Sequence, residues 1–220
     1  IVVVGGVRRS ALISLSNLTD ERMRKAKSGQ WWLDETQRAL SNNSVVYTEK
    51  PDVSIFLKEW MSLIESKSGE RGIFNRMAAK KQVEKLGDRR DPNYSFGTNP
   101  CSEIILRDAE FCNLTEIVIR PEDTPASLKE KVRLATILGT WQATLTNFRY
   151  LSKEWKKNCD EEALLGVSLT GIMDNAYTNG THYGINKKGL PKLLNELKEL
   201  AVATNKFHAK QLGINPSAAI

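Results

Sequence analysis

The hydrophobic and polar positions of the chain alternate between strand-like and helix-like patterns. Apolar or β-branched runs predict strands at 1–4, where a Gly5-Gly6 turn follows, and at 11–15, 44–48, 103–106, 111–114 and 116–120. Helical spacing and N-terminal capping residues predict helices that begin at Thr19-Asp20, Pro51-Asp52 and Thr124-Pro125, and two more over 164–173 and 190–212. Strands separated by helices indicate an α/β fold with parallel strands. We expect residues 1–220 to form a single domain.

Several of these segments carry more detailed predictions. The first helix is expected to end at Gly29, and the strand at 44–48 to follow a turn at 41–43. The helix from Thr124-Pro125 is expected to reach Asn147, and the last helix to be capped by Gly213. Two helices have apolar residues at helical spacing: Phe56, Trp60, Leu63 and Ile64 in one, and Leu128, Val132, Ala135, Leu138 and Trp141 on the predicted buried face of the other.

A charged, turn-rich segment at 87–100 predicts an irregular loop that runs directly into the strand at 103–106. Cys101 is therefore expected in a loop held between strands. In an extended segment, side chains two positions apart point to the same side. Asn99, Cys101 and Glu103 are accordingly expected to lie side by side.

Composition narrows the class of protein. The net charge is +6, from 32 basic and 26 acidic residues, and the basic residues are spread along the chain, which favours a solvated surface over a nucleic-acid-binding stripe. A basic nucleic-acid-binding domain stays an alternative. No apolar run approaches the roughly 20 residues that span a bilayer, and the first residues do not resemble a signal peptide.

The cysteines and histidines are few. Three cysteines without a Cys-x-x-Cys pair favour a reducing, cytoplasmic compartment. Cys159 precedes three acidic residues, which disfavour its thiolate, so we expect it to be a structural or a surface cysteine. His182 and His208 are isolated in the sequence, and no metal site is expected.

Two blocks close together in the sequence resemble the active-site loop of ribonucleotide reductases. They are Asn-Pro-Cys-Ser-Glu-Ile-Ile-Leu at 99–106 and Phe-Cys-Asn-Leu at 111–114. Further blocks similar to the family are Gly-Gly-Val-Arg-Arg-Ser-Ala at 5–11, Leu-Gly-Val-Ser-Leu-Thr-Gly at 165–171 and the end of the chain at 214–220. The resemblance covers nearly the whole chain, whereas the chain covers only part of a whole reductase.

The resemblance implies a role for each residue of these blocks. Cys101 would carry a thiyl radical that removes the 3'-hydrogen of the ribose, Glu103 would be the general base for the 3'-hydroxyl, and Asn99 and Ser102 would bind the substrate. Cys112 would be one half of a dithiol that supplies two electrons and becomes a disulfide. Its family partner lies upstream and is absent here, so this chain alone is expected to be inactive.

The sequence of the cysteine block resembles that of the adenosylcobalamin-dependent class more than that of the iron-dependent class. The spacing of ten residues between Cys101 and Cys112 does so too. The family fold implies about half of a ten-stranded α/β barrel with a central cysteine finger loop. Implied partners are a ribonucleoside di- or triphosphate, a thioredoxin-like reductant and an allosteric nucleotide effector. Residues 38–44 resemble a segment that relays effector identity, although a helix end followed by a turn explains them equally well. A non-catalytic assembly segment of a split reductase is the alternative within the family.

Overall fold

The computed structural model describes residues 12–67, 69–86, 89–184 and 188–220. The predicted strand at 1–4 and its Gly5-Gly6 turn lie outside the described residues. The chain divides after Asp108 into two compact units, which are described separately. Helices and small sheets occur in both, and the predicted α/β class is confirmed. No closed barrel forms among the described residues, so the partial barrel and the single domain stay predictions.

The first unit is built on a parallel sheet. Its strands are β1 (Leu12–Ser16), β2 (Ser41–Tyr47) and β3 (Gly72–Asn75), in that order. The prediction of a turn at 41–43 is wrong, because Asn42 and Asn43 pair with Ile13 and Ser14 as part of β2. The polar asparagines resemble turn residues in the sequence, but both pair with β1, and the Glu70 carboxylate accepts the backbone N–H of Asn43.

The helices of the first unit are α1 (Glu21–Arg24), α2 (Trp31–Asp34), a 3-10 helix (Thr36–Leu40), α3 (Val53–Ser66) and α4 (Arg76–Lys85). Asp20 caps α1 as predicted, because its carboxylate accepts a hydrogen bond from the Met23 N–H at 2.9 Å. The helix nevertheless ends at Arg24, well before the predicted Gly29. Asp52 caps α3 in the same way through the Ser54 N–H.

The side of α3 that is buried is not the apolar stripe of the sequence. Phe56, Trp60 and Ile64 are 38%, 51% and 56% exposed, whereas Glu59 is 1% exposed. Arg71 holds the Glu59 carboxylate with two parallel hydrogen bonds, of 3.0 Å from Nε and 2.8 Å from Nη2. The Nε of Arg24 donates a third, of 2.7 Å. This buried ionic cluster, rather than a hydrophobic face, joins α3 to the sheet.

A short antiparallel hairpin completes the first unit. β4 (Gly97–Thr98) pairs with β5 (Ile105–Leu106), with Thr98 opposite Ile105. Beneath it lies a core formed by Val46, Phe74, Ala79, Val83 and Phe96, against which Leu15 and Ile105 pack. The described part of the predicted loop at 87–100 is irregular up to β4, as expected.

The second unit packs three helices around two parallel strands. The strands are β6 (Asn113–Val118) and β7 (Leu165–Thr170), and the helices are α5 (Pro125–Gln142), α6 (Lys153–Glu162) and α7 (Gly189–Leu212). Two 3-10 helices, Ile172–Asp174 and Thr181–Tyr183, follow β7. The core consists of Ile117, Ile119, Leu128, Val132, Ala135, Leu193, Leu197 and Ala201. The helix predicted over 164–173 is wrong, because this apolar run is the strand that pairs with β6.

Helix α5 begins as predicted and ends early. Thr124 and Ser127 form a reciprocal capping box, and Pro125 occupies the first helical position. The helix ends at Gln142 rather than Asn147. Leu138 and Trp141 are 57% and 53% exposed and therefore do not belong to the buried face, which includes the small residues Thr136, Gly139 and Thr140 instead. Gly213 caps α7 in the left-handed conformation, as expected.

Within the described part of the chain, no helix combines the length and the apolar character needed to cross a membrane.

Candidate functional site

The predicted radical cysteine lies in the loop of the β4–β5 hairpin. Asn99 closes this loop and is buried. Its side-chain Oδ1 accepts a hydrogen bond of 3.0 Å from the Ile104 N–H, and its backbone carbonyl accepts one of 2.9 Å from the Ser102 N–H. Its own N–H donates to the Ile104 carbonyl at 3.4 Å. One asparagine therefore fixes both the width of the loop and the turn at its tip.

The tip itself is a tight turn rather than an extended strand. Ser102 has φ of 64°, in the left-handed region, and the strand predicted over 103–106 is restricted to Ile105–Leu106. The expectation that Asn99, Cys101 and Glu103 share one side of an extended segment is therefore wrong in its premise. A left-handed residue between Cys101 and Glu103 breaks the alternation on which the expectation depended.

The residues of the turn differ in their exposure to solvent. Asn99 is buried, whereas Cys101, Ser102 and Glu103 are all exposed. A thiol, a hydroxyl and a carboxylate are thus presented together at the end of one short hairpin. Chemically, such a tip can offer a hydrogen atom from sulfur and a proton acceptor from the carboxylate to a molecule that approaches from outside the hairpin.

Two arginines hold the strands that carry this loop. The Nε of Arg76 donates to the Phe96 carbonyl at 2.7 Å, and Nη2 of Arg90 donates to the Ile105 carbonyl at 2.8 Å. The Arg90 guanidinium also lies 5.0 Å from the centre of the Phe96 ring. Neither arginine was predicted from the sequence to support the loop. The only available signal was the position of Arg90 just upstream of the cysteine block.

Cys112 lies in the second unit, where it is partly exposed just before β6. The preceding Phe111 packs its ring against Trp155, with ring centres 4.5 Å apart, and against Phe148 at 5.2 Å. Cys112 and Cys159 both line a cavity of about 280 Å³ in this unit. Cys159 is buried on α6, so of the two predicted positions, structural or surface, the structure has the buried one.

Other predicted features are also located by the structure. Residues 38–44 comprise the end of the 3-10 helix and the start of β2, where Asn43 donates from its backbone N–H to the Glu70 carboxylate at 2.6 Å. His182 packs against the ring of Tyr177 at 4.1 Å, and His208 against Phe207 at 5.1 Å. Over the described ranges, no three His, Cys, Asp or Glu side chains are grouped so that they could hold a metal ion.

Comparison with known proteins places the chain beside one class of enzyme, the ribonucleotide reductases. More particularly, its relatives are adenosylcobalamin-dependent ribonucleoside-triphosphate reductases. The protein of that name from Lacticaseibacillus paracasei is 33% identical over 79% of this chain, and those from Lactobacillus acidophilus and Lactobacillus leichmannii are 27% identical over 98% of it. The resemblance predicted from the cysteine blocks is confirmed.

The match covers only part of each relative. The aligned segment is 22% of the length of the Lacticaseibacillus paracasei protein and 31% of the length of the Lactobacillus acidophilus protein. The chain therefore spans between about a fifth and a third of the relatives it matches. No protein-family model matches the chain.

Proposed function

We propose that this chain is the cysteine-loop segment of an adenosylcobalamin-dependent ribonucleotide reductase, which converts ribonucleotides to 2'-deoxyribonucleotides by a thiyl radical mechanism. The observation that carries the proposal is the similarity of 79–98% of the chain to reductases of that name. The hairpin supports it, because the motif Asn-Pro-Cys-Ser-Glu forms an exposed tip fixed from beneath. Since the relatives are named for triphosphates, a ribonucleoside triphosphate is the favoured substrate.

Each group of the tip has one task in this mechanism. The Cys101 sulfur, as a thiyl radical, takes the 3'-hydrogen of the ribose and later returns it, because S–H and activated C–H bonds have similar strengths. The Glu103 carboxylate accepts the proton of the 3'-hydroxyl, which requires an approach to about 2.6–3.2 Å. Ser102 can donate to or accept from a sugar hydroxyl through its exposed side chain.

Asn99 would contact the substrate through its side-chain nitrogen rather than its oxygen. Its Oδ1 already accepts the Ile104 N–H, and the Thr98 hydroxyl donates to the same oxygen at 3.4 Å. The Nδ2 amino group is therefore the part of the side chain that would donate to a substrate hydroxyl. Asn99 then combines two functions, since it holds the loop through its oxygen and orients the sugar through its nitrogen.

The predicted cofactor, adenosylcobalamin, is supported by the names of the relatives. When bound, it supplies the radical through homolysis of its cobalt–carbon bond. Cys101 fits this chemistry because its thiol is exposed at the end of the hairpin and is open to a radical delivered from outside the unit. The residues of this chain position the Cys101 thiol and hold it at the surface, away from the hydrophobic core.

Completion of the cycle needs groups beyond this chain. Cys112 supplies one thiol of the reducing pair, and the second thiol comes from a part of the reductase that this segment does not contain. A thioredoxin-like reductant restores the pair, and a nucleotide effector acts through the region of residues 38–44. The segment takes its place in a ten-stranded barrel in the cytoplasm and is inactive alone.

A chimera tests the proposal. Residues 1–220 replace the matching segment of the Lacticaseibacillus paracasei reductase, and formation of deoxynucleotide from ribonucleoside triphosphate is measured with and without adenosylcobalamin. Activity that requires the cofactor is expected. Glu103→Gln should lower kcat by about 10²–10⁴-fold, as loss of a general base does. Glu122→Gln, at an exposed site away from the hairpin, is the matched control and should leave kcat unchanged.

The alternative of a purely structural assembly segment makes a different prediction. In that case the chimera, or a mixture of this chain with the flanking segments, would be active only if another polypeptide supplied the cysteine loop. Equal activity of the Glu103→Gln and Glu122→Gln chimeras would contradict the proposed role of Glu103 and favour this alternative.

A further inference from the structure

Two cysteines of the second unit border the same cavity, of about 280 Å³. Cys112 enters it from the start of β6 and Cys159 from α6. The cavity is also lined by Phe111 and Asn113, on either side of Cys112, and by the end of α5 and the segment after it, from Gln142 to Phe148. The radical mechanism uses Cys112 but assigns nothing to Cys159.

The Cys159 sulfur lies next to the peptide that leads into Cys112. It accepts a hydrogen bond from the Phe111 N–H at 3.3 Å, and its S–H group donates to the Phe111 carbonyl oxygen at 4.0 Å. The carbonyl carbon of Phe111 is bonded to the nitrogen of Cys112, so the sulfur of one cysteine is one peptide unit from the backbone of the other. The stacking of Phe111 on Trp155, which is also on α6, fixes this arrangement.

The surroundings of Cys159 differ from what its sequence neighbours indicate. Asp160 and Glu161 are paired with Lys156 and Lys157, at 2.5 Å and 3.9 Å, so that lysines one turn back along α6 offset their charges. The cavity is therefore lined by both cysteines, and two of the three acidic residues that follow Cys159 are paired with lysines.

From these contacts we infer that Cys112 and Cys159 form a reversible dithiol–disulfide couple that reacts with low-molecular-weight disulfides. The thiolate of Cys112, the more exposed of the two, attacks the small disulfide and forms a mixed disulfide while one small thiolate leaves. The Cys159 thiolate then attacks the Cys112 sulfur and expels the second small thiolate. The protein loses two electrons and two protons, which reduce the small disulfide to two thiols.

Oxidation of this couple removes Cys112 from any other reaction. A reductase that contains the segment would be held inactive until a dithiol reductant opened the bond. The inference itself does not rest on the proposed function, because it concerns only the second unit and a small disulfide.

The test uses the 220-residue chain with glutathione disulfide and no nucleotide or cobalamin. After an acid quench, peptides are mapped by mass spectrometry without reduction. The expected main product links Cys112 to Cys159, in the wild-type chain and equally in Cys101→Ala. In Cys159→Ala, the mixed disulfide of Cys112 with glutathione should exceed the wild-type amount by about tenfold, because the intramolecular attack that resolves it is lost.

Two further measurements keep the test decisive. Cys159→Ser replaces the sulfur with little change in volume, and its circular dichroism spectrum is compared with that of the wild-type chain. Chain denatured in urea provides the comparison for random pairing. The inference is overturned if the Cys112 mixed disulfide accumulates equally with and without Cys159, if Cys101 is the main partner of Cys112, or if the linked peptide forms only in urea. None of these outcomes bears on the reductase assay of the chimera.

Discussion

The side-chain oxygen of Asn99 accepts the backbone N–H of Ile104 at 3.0 Å, across the loop that carries Cys101. This bond replaces a rung of the β4–β5 ladder at the point where the hairpin opens. It holds the exposed tip to the buried base of the hairpin, so the position of the thiol depends on a buried amide as well as on the flanking strands.

Loss of the Asn99 side chain should loosen the tip without unfolding the first unit. Asn99→Ala leaves the Ile104 N–H without this partner, and we expect the free energy of unfolding to fall by about 1 kcal/mol. The clearer sign is faster hydrogen exchange of the Ile104 amide. Asn147→Ala, an exposed site in the second unit, is the control and should change neither quantity. Unchanged protection of Ile104 in Asn99→Ala would show that the amide does not close the loop.

The cysteine loop illustrates what sequence patterns can and cannot give. The turn-rich composition of 87–100 correctly indicates a loop before a strand, and the motif is the basis for the prediction that Cys101 carries the radical. The expected alternation of side chains fails at Ser102, which has the left-handed backbone conformation. A glycine would have signalled such a conformation in the sequence, but a serine does not. The buried position of Asn99 depends on the Phe96 core beneath the hairpin, which is assembled from segments far apart in the sequence.

A buried carboxylate makes the first unit sensitive to acid. Burial alone would raise the pKa of Glu59, but hydrogen bonds from Arg71 and Arg24 outweigh burial and hold the pKa below its usual 4.5. The unfolded chain therefore takes up a proton near pH 4.5 while folded Glu59 is still ionised. The stabilisation is complete above pH 4.5 and is lost as the pH falls through the folded pKa. Urea denaturation between pH 7 and pH 3 measures this decline.

Replacement of the Glu59 carboxylate distinguishes its contribution to the pH dependence of stability from that of the other acidic groups. Glu59→Gln leaves the buried Arg71 guanidinium without its anion and Arg24 with Glu21 alone, and it should cost about 3–5 kcal/mol at pH 7. The difference between wild type and variant should shrink as the pH falls below 4.5. Glu65→Gln, an exposed site on the same helix, is the control and should leave both the stability and its pH dependence nearly unchanged. A constant difference at all pH values would contradict the assignment.

Asn205 should anchor the end of the chain to the second unit. Its Nδ2 donates to the Thr140 hydroxyl at 3.0 Å, and its Oδ1 accepts the Ser217 N–H at 2.8 Å. Asn205 is 2% exposed, so Asn205→Ala should cost about 1–3 kcal/mol and raise hydrogen exchange at Ser217. Asn195→Ala, on the exposed side of the same helix, is the matched control. Equal effects of the two substitutions would show that the contacts of Asn205 are not needed.

Gly171 should tolerate no side chain. It has φ of 76°, and a Cβ there would lie 2.5 Å from the Ile119 carbonyl oxygen, a backbone atom that cannot rotate away. Gly171→Ala should therefore cost about 2–5 kcal/mol, from left-handed strain and overpacking together. Gly213→Ala has a similar φ of 69° in open space and should show the strain alone, about 1–2 kcal/mol. Thermal unfolding compares the two, and equal losses would refute the close approach.

The helices and strands of the second unit show the same division between local and distant causes. The start of α5 and the end of α7 could be predicted, because the residues that cap a helix lie within a few positions of its end in the sequence. The strand β7 was not, since a short apolar run fits a helix or a buried strand equally well until its partner β6 is known. Trp141 was predicted to be buried from its spacing, whereas α5 packs through Thr136, Gly139 and Thr140.

The most direct test of the account is deoxynucleotide formation by the Cys101→Ala form of the reductase chimera, in the presence of adenosylcobalamin. If the Cys101 sulfur carries the radical, product formation falls to the level of the reaction without cofactor, while circular dichroism shows the fold of the parent chimera, because the substituted side chain is exposed at the hairpin tip. Cofactor-dependent product formation at the parent rate would contradict the central claim.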